Sequence, residues 1–222
     1  MFLEKLILRA LLIALKGAGG ETVGMSENER DLVERAKSGE VEAFEQLILN
    51  CQKKVFNIAY RMIGNYDDAN ELAQEVFLRA FRSMKKFKGD ALFSTWIYKV
   101  TVNVCLDEIR KRKKKIVVSL DQEIEIKDGE VKRQIPDNAP TPDIELETKE
   151  LKNAVNESIQ QLPDDYKSII VLRDIQGFSY FEISKIVNCP EGTVKSRISR
   201  ARKALKEILL ARKELLNEKF VK

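Results

Sequence analysis

From Glu27 onward apolar residues recur every three to four positions, with few alternating β-branched runs, and this period belongs to amphipathic helices. The first segment, Glu27 to Lys37, runs into Gly39, a residue suited to a left-handed C-terminal stop. A second spans Val41 to Ile63 with a break predicted near Asn50. Phe44, Leu47, Ile48, Val55, Ile58 and Ala59 form its buried stripe, and Gly64-Asn65 closes it. The third, Asp67 to Ser83, carries Asp67, Asp68 and Glu71 in its first turns, where the helix dipole favours acids. The fourth is "DALFSTWIYKVTVNVCLDEIRKRKKK", residues 90–115, entered from a loop at Gly89 to Thr95 and ending in six consecutive cations.

Beyond Lys115 the period is lost. Pro136, Pro140, Pro142 and a Lys-Asp-Gly turn at 127–129 mark a linker of about 30 residues. Residues 119–150 hold ten acids against four bases, a local charge of −6. Helical period returns near Thr148 and continues to about Leu216. The predicted architecture is all-α: a helical bundle at 26–115 and a second helical domain at 148–216, joined by a flexible acidic linker at 116–147 and preceded by an extension at 1–25.

The second domain contains the most specific local pattern, "GFSYFEISKIVNCPEGTVKSRISRARKAL". Ser179 followed by Glu182 is a capping box that starts a helix at Tyr180. Asn188-Cys189 interrupts it after about two turns, and Pro190 suits the first position of the next helix. Two short helices so joined make a helix-turn-helix, whose second member can enter a major groove. At 100° per residue, Val194, Ile198, Ala201 and Leu205 fall on the core-facing side of that second helix. Lys195, Ser196, Ser199, Arg200 and Lys203 fall opposite, with Arg197 and Arg202 at the flanks. Cations with small hydroxyls suit phosphate anchoring and base-edge contact, whereas a merely solvated face would mix in acids. None occurs between Glu191 and Glu207.

Composition narrows the chemistry. The formal net charge is only +4, yet the cations concentrate at Arg110 to Lys115 and Lys195 to Lys206, and local patches set the field a polyanion meets. Histidine is absent, and Cys51, Cys105 and Cys189 lie far apart with no C-x-x-C, so neither a metal site nor a disulfide framework is expected. No phosphate-cradling, nucleophile-elbow or dinucleotide motif occurs, so an enzyme is not expected either. In the opening "MFLEKLILRALLIALKGAGG", Arg9 interrupts an apolar run too short for a spanning helix, which takes about 20 residues. It reads as an upstream extension, with the working protein beginning at Met25, in preference to a partner-seeking helix with a Lys5, Arg9 and Lys16 stripe.

The pairing of "DDANELAQEVFLRAFRSMKKFKGDALFSTWIYKVTVN" with "LPDDYKSIIVLRDIQGFSYFEISKIVNCPEGTVKSRISRARKAL" resembles the bacterial extracytoplasmic-function sigma factors, two-domain initiation subunits of RNA polymerase. The resemblance covers about Ser26 to Ala211. It implies that the first domain, sigma region 2, docks on the clamp helices of the polymerase largest subunit and captures the opened minus-ten element. By the same analogy the second, sigma region 4, meets the beta flap and reads the minus-thirty-five element as duplex, while the linker threads toward the active-site cleft. A cytoplasmic location, a stress role and an anti-sigma partner, often membrane-bound in this family, are also implied.

Residue types fit these expectations. Asp68, Glu71, Gln74, Glu75 and Arg79 recur three to four apart as a polar face, with Gln74 and Glu75 at the family's Q-E position, which implies core polymerase binding. Single strands are held by rings and a positive groove, stacking giving about 1–3 kcal/mol per base. Phe87, Lys88 and Ser94 precede a polar stripe of Lys99, Asn103, Arg110 and Lys114, for which the resemblance implies minus-ten contact, with Asn103 at the flipped base. Trp96 and Tyr98 are expected in the core; Phe87 stands between core and pocket. Thr193, Lys195, Ser196, Arg197, Ser199, Arg200 and Lys203 are the expected minus-thirty-five contacts. A freestanding helix-turn-helix regulator is the alternative; it would leave the Asp68 to Glu75 face and the capture loop idle.

Overall fold

The computed structural model describes residues 25–120 and 153–220, with side chains placed through Lys115 in the first stretch and Arg212 in the second. The predicted extension up to Gly24 and linker positions 121–147 lie outside the described residues. Helix α1 is Glu27–Ser38: Ser26 caps its start by accepting the Glu29 N–H at 3.1 Å, and Gly39, at φ 103°, ends it in the left-handed region. The predicted break falls at Asn50-Cys51, dividing α2 (Val41–Leu49) from α3 (Gln52–Ile63). Asn65 is a start signal for α4 (Tyr66–Ser83), accepting the Asp68 N–H at 3.1 Å, so α4 begins one residue before the predicted Asp67. A 3₁₀ turn, Met84–Lys86, leads toward α5, Phe93–Leu120.

Two expectations about α5 are corrected. The predicted loop through Thr95 ends at Leu92, whose carbonyl accepts the Trp96 N–H at 3.1 Å, so Ser94 and Thr95 lie in the first helical turn. The reason is a cap from elsewhere: the Glu29 carboxylate of α1 accepts the Phe93 N–H at 3.0 Å, satisfying a donor that no local residue meets. At its other end α5 continues through Leu120 rather than stopping at Lys115.

The second stretch opens with α6, residues 153–160, then α7, Asp164–Ile170, which widens into a π turn at Val171–Ile175. Helices α8 (Tyr180–Ile186) and α9 (Glu191–Phe220) follow. Val55, Ile58, Ala59 and Met62 of α3 pack between alanines 69, 73 and 80 of α4 and the Ile97, Val104 and Cys105 face of α5. Small side chains on α4 let the axes approach closely. Ile169 to Leu172, Ile183, Ile186, Val194, Ile198 and Ala201 bury the second domain's faces. Each fully buried aliphatic side chain contributes about 1.5–3 kcal/mol relative to exposure. The two domains touch: α8 packs on α5, and the π turn packs on α3. No helix among the described residues is long and apolar enough to cross a membrane.

Candidate nucleic-acid interface

The capture loop is placed by aromatic packing. Phe93 is 1% exposed, its ring edge-on to Phe44 at 6.1 Å and to Phe87 at 6.2 Å, with Trp96 tilted against it at 5.7 Å. Phe87 is itself 5% exposed and lies 5.1 Å from Trp96. It supplies a wall rather than a free stacking surface, because both neighbouring rings already cover it. Beside it opens a cavity of about 640 Å³ lined by Phe87, Lys88, Trp96 and Lys99, together with Lys86, Asp90, Ala91 and Thr95. Ser94 and Asn103 are not among its lining residues; Asn103 is exposed farther along α5.

Trp96, expected in the core, is only half-buried and lines this cavity. Tyr98 is buried, but against Phe178 of the second domain at 5.2 Å. Burial pushes its phenol well above the usual range. Ser184 and Lys185 of α8, with Asn188 to Pro190 of the turn after it, line the cavity from the other side. A helical wheel sorts faces against their own bundle and carries no signal for a partner domain, so these neighbours were invisible to periodicity.

The cation run is not a uniform field. Arg112 donates to Asp68 of α4 at 2.8 Å and to Glu108 at 2.8 Å, Lys113 to Asp164 at 2.8 Å, and Arg110 stands 3.6 Å from Asp107. Among the described residues, no ion pair involves Lys114 or Lys115. On the polar face of α4, Glu75 accepts from Arg79 at 2.6 Å, and Arg79 approaches Asp107 of α5 at 3.7 Å. Asp68 and Arg79 therefore also brace α4 against α5, Glu75 pairs with Arg79 along α4, and Glu71 and Gln74 stand exposed.

The helix-turn-helix is built by local chemistry. Ser179 Oγ accepts the Glu182 N–H at 3.2 Å, and the Glu182 carboxylate accepts the Ser179 N–H at 2.8 Å, completing the capping box. Asn188 adopts φ 52°, a left-handed conformation asparagine tolerates, and makes the turn short. Pro190 is the N-cap rather than the predicted first helical residue, its carbonyl accepting the Val194 N–H at 3.0 Å. On α9, Val194, Ile198 and Ala201 are buried while Lys195, Ser196, Ser199, Arg200 and Lys203 are exposed and Thr193 and Arg197 are half-buried. Among the described residues, no ion pair involves Lys195, Arg197, Arg200 or Lys203. Arg202, by contrast, is a brace: its Nε donates to Asp174 of the π turn at 3.1 Å, and its Nη2 bonds the other carboxylate oxygen. That bidentate pair raises Arg202's already high pKa and fixes the rotation of α9.

Comparison with known proteins agrees with this geometry. Residues 47–115 match the Sigma-70 region 2 family model and residues 152–205 the Sigma-70 region 4 model, together more than half of the 222 residues. The ECF RNA polymerase sigma factor SigW of Bacillus subtilis is 36% identical over 178 residues, covering 80% of this chain and 94% of that protein. The ECF RNA polymerase sigma-E factor of Escherichia coli is 35% identical over 183 residues, 82% and 95% of the two. Among solved structures, the Bartonella quintana sigma factor RpoE, in complex with the anti-sigma factor NepR, superposes with a TM-score of 0.58 at 25% identity, covering 76% of this chain and 98% of that one. CnrH, bound to the cytosolic domain of CnrY, shares the fold with a TM-score of 0.57 at 23% identity over 83% and 99% of the two chains. Two domain matches in the family's order, and relatives matched over nearly their whole length, place the chain in the extracytoplasmic-function sigma factors, which direct RNA polymerase to promoters and are neither freestanding regulators nor enzymes.

Proposed function

We propose a division of this work among named residues. Thr193, Lys195, Ser196, Arg197, Ser199, Arg200 and Lys203 of α9 read the minus-thirty-five duplex. Lys88 and Lys99 in the cavity walled by Phe87, with Ser94 and Asn103 outside it on α5, take the opened minus-ten strand, and Arg110 and Lys114 hold the adjoining backbone. Asp68, Glu71, Gln74, Glu75 and Arg79 of α4 meet the clamp helices of the polymerase largest subunit, and the second domain meets the beta flap. Working units at 26–115 and 148–216 follow from the same assignment, with the protein acting in the cytoplasm, where polymerase and chromosome are.

One observation carries the reading: the outward face of α9 offers cations and small hydroxyls beside buried anchors, with its rotation fixed by Arg202. The solved complex of RpoE with the anti-sigma factor NepR supports an inhibitor for this chain too, and a membrane-anchored one would couple it to signals from outside. Reconstitution with core polymerase tests the assignment. The purified chain converts core enzyme into a form that starts transcripts at discrete positions, mapped genome-wide after overexpression as two shared upstream boxes. Core enzyme that neither binds the chain nor changes its start sites overturns the reading.

A further inference from the structure

The cavity beside Phe87 and Trp96 is walled by both domains, and its charge is out of balance. Lys86, Lys88 and Lys99 of the first domain and Lys185 of the second line it, against one acid, Asp90. Among the described residues no ion pair involves any of these four lysines, whereas Arg112, Lys113 and Arg202, which stand where elements meet, all bond carboxylates. The ammonium of Lys185 lies 5.1 Å from the Phe181 ring centroid, a contact that leaves its charge uncompensated. Like charges gathered around one space repel, and contacts away from the cavity hold them there. Phe178 packs on Tyr98 at 5.2 Å, the Gln160 amide donates to the Arg61 carbonyl at 2.7 Å, and Lys113 pairs with Asp164 at 2.8 Å.

The lining adds two further means of recognition. Trp96 is half-buried, its ring tilted against Phe87 at 5.1 Å and Phe93 at 5.7 Å, and an indole held in this way stacks on a base at little ordering cost. Asn188 contributes an amide that both donates and accepts, and Thr95 a hydroxyl; neither side chain is hydrogen-bonded among the described residues. The volume of about 640 Å³ falls within the range of about 300–1,000 Å³ usual for small-molecule sites. We propose that this cavity binds a nucleoside polyphosphate: the four lysines neutralise its phosphates, Trp96 stacks on its base, and Asn188 meets the base edge. Lysines are mobile point charges, suited to a phosphate chain of no fixed geometry. A single strand spreads its charge at one phosphate per nucleotide and must pass out between the two walls, whereas a short phosphate chain concentrates its charge where the lysines converge. The site touches the functional reading above only through Lys88 and Lys99, which then serve the nucleotide in the free chain and the opened strand in the polymerase complex.

The test uses the full chain without polymerase and titrates it with ATP, GTP, inorganic tripolyphosphate and adenosine, by calorimetry and by the emission of Trp96, the chain's single tryptophan. ATP or GTP is expected to quench Trp96 saturably. Tripolyphosphate is expected to bind about tenfold more weakly, since it has no base to stack, and adenosine more weakly still. Lys86→Ala/Lys185→Ala, at two exposed positions outside the residues assigned to promoter contact, is expected to weaken nucleotide binding about tenfold or more, with the circular dichroism unchanged. Lys185→Ala alone should weaken it by about three- to fivefold, because the second domain supplies that charge. Lys115→Ala, an exposed lysine outside the cavity, should leave it unchanged. No saturable binding below about 1 mM overturns the site. An equal loss in Lys115→Ala reduces it to diffuse attraction and overturns it too. Tripolyphosphate binding as tightly as ATP and GTP overturns the nucleoside assignment. A single-stranded oligonucleotide that binds more tightly than either nucleotide and loses as much in Lys185→Ala gives the cavity to the strand and overturns the proposal. Failure of the functional reading shows separately, as core polymerase ignoring a chain whose nucleotide affinity is intact.

Discussion

Along α9 the cations stand in water on a single helix whose rotation one bidentate pair fixes, whereas the surface at residues 86–99 exists only because rings from separate helices meet beneath it. The first face needs a period, a cap and a brace, all within about 30 residues. The second needs Phe44 of α2, Glu29 of α1 and the α5 start to arrive together, and its far wall belongs to another domain. Reading paired bases can thus be encoded in one helix, while holding an unpaired strand is a product of tertiary packing. The capture face should be the more fragile of the two, and each expectation below would break or sharpen that contrast.

The largest effect is expected from Phe93→Ala. This ring is 1% exposed and contacts Phe44, Phe87 and Trp96, so truncation leaves a cavity under the whole loop. Urea unfolding should show a loss of about 3–5 kcal/mol. Trp96 emission should shift at the same time, since its ring loses a neighbour. A loss below about 1 kcal/mol would mean that the loop does not depend on the ring cluster.

Alkaline pH should separate the domains next. Burial pushes the thiols of Cys51 and Cys105 up to about 12, the Cys51 thiol also donating to the Leu47 carbonyl at 3.1 Å. An unfolded thiol ionises near pH ~8.5, so the folded state holds its proton longer. Stability from this source is complete below about pH 8.5 and is lost as pH climbs toward about 12, at up to ~1.4 kcal/mol per pH unit for each thiol. Both thiols lie in the first domain, whereas Cys189 of the second is half-exposed. Urea midpoints should therefore fall on raising pH from about 7 to about 10, and Cys105→Ala should flatten the decline. A decline of the same steepness in Cys51→Ala/Cys105→Ala would assign it to other groups.

Arg200→Ala probes the exposed face. The side chain has no intrachain ion pair among the described residues, so its removal should leave folding intact. Footprinting of the upstream element by the reconstituted polymerase, at fixed salt, should show a loss of about 1–3 kcal/mol if the guanidinium reads a base. A uniform loss across sequences, with a shallower salt dependence, would make it a phosphate contact instead.

This contrast also explains what was legible before the structure. The stop at Gly39, the break near Asn50, the Ser179 box and the buried and exposed faces of α9 are local signals, written within one or two turns. The caps and braces that cross the chain are not. Nothing in Glu29 announces that it will cap Phe93, nor in Asp68 that it will hold Arg112. Six consecutive cations read as one field until four prove to have carboxylates beside them. Periodicity assigns Trp96 to the core because a wheel knows only its own helix, and the ring lines the cavity instead; Tyr98 is buried as expected, against a ring that periodicity could not supply.

The smallest expected effect, from Ser179→Ala, tests whether the duplex face is as self-contained as its local signals imply. The hydroxyl accepts the Glu182 N–H, and the Glu182 carboxylate returns a bond to the Ser179 N–H and hydroxyl, so alanine removes half of the box and leaves Glu182 one partner. The cost should be about 1 kcal/mol of stability. The turn and α9 lie downstream of α8, but α9 is also held by Arg202 on Asp174 and by Val194 and Ile198 in the core. Those anchors should keep its rotation, so the upstream footprint should keep its pattern while the thermal midpoint falls by a few degrees. Asp174→Ala supplies the contrast, because it frees Arg202 and lets α9 turn with the cap intact. A footprint that changes in Ser179→Ala and not in Asp174→Ala would move control of the duplex face from the brace to the cap.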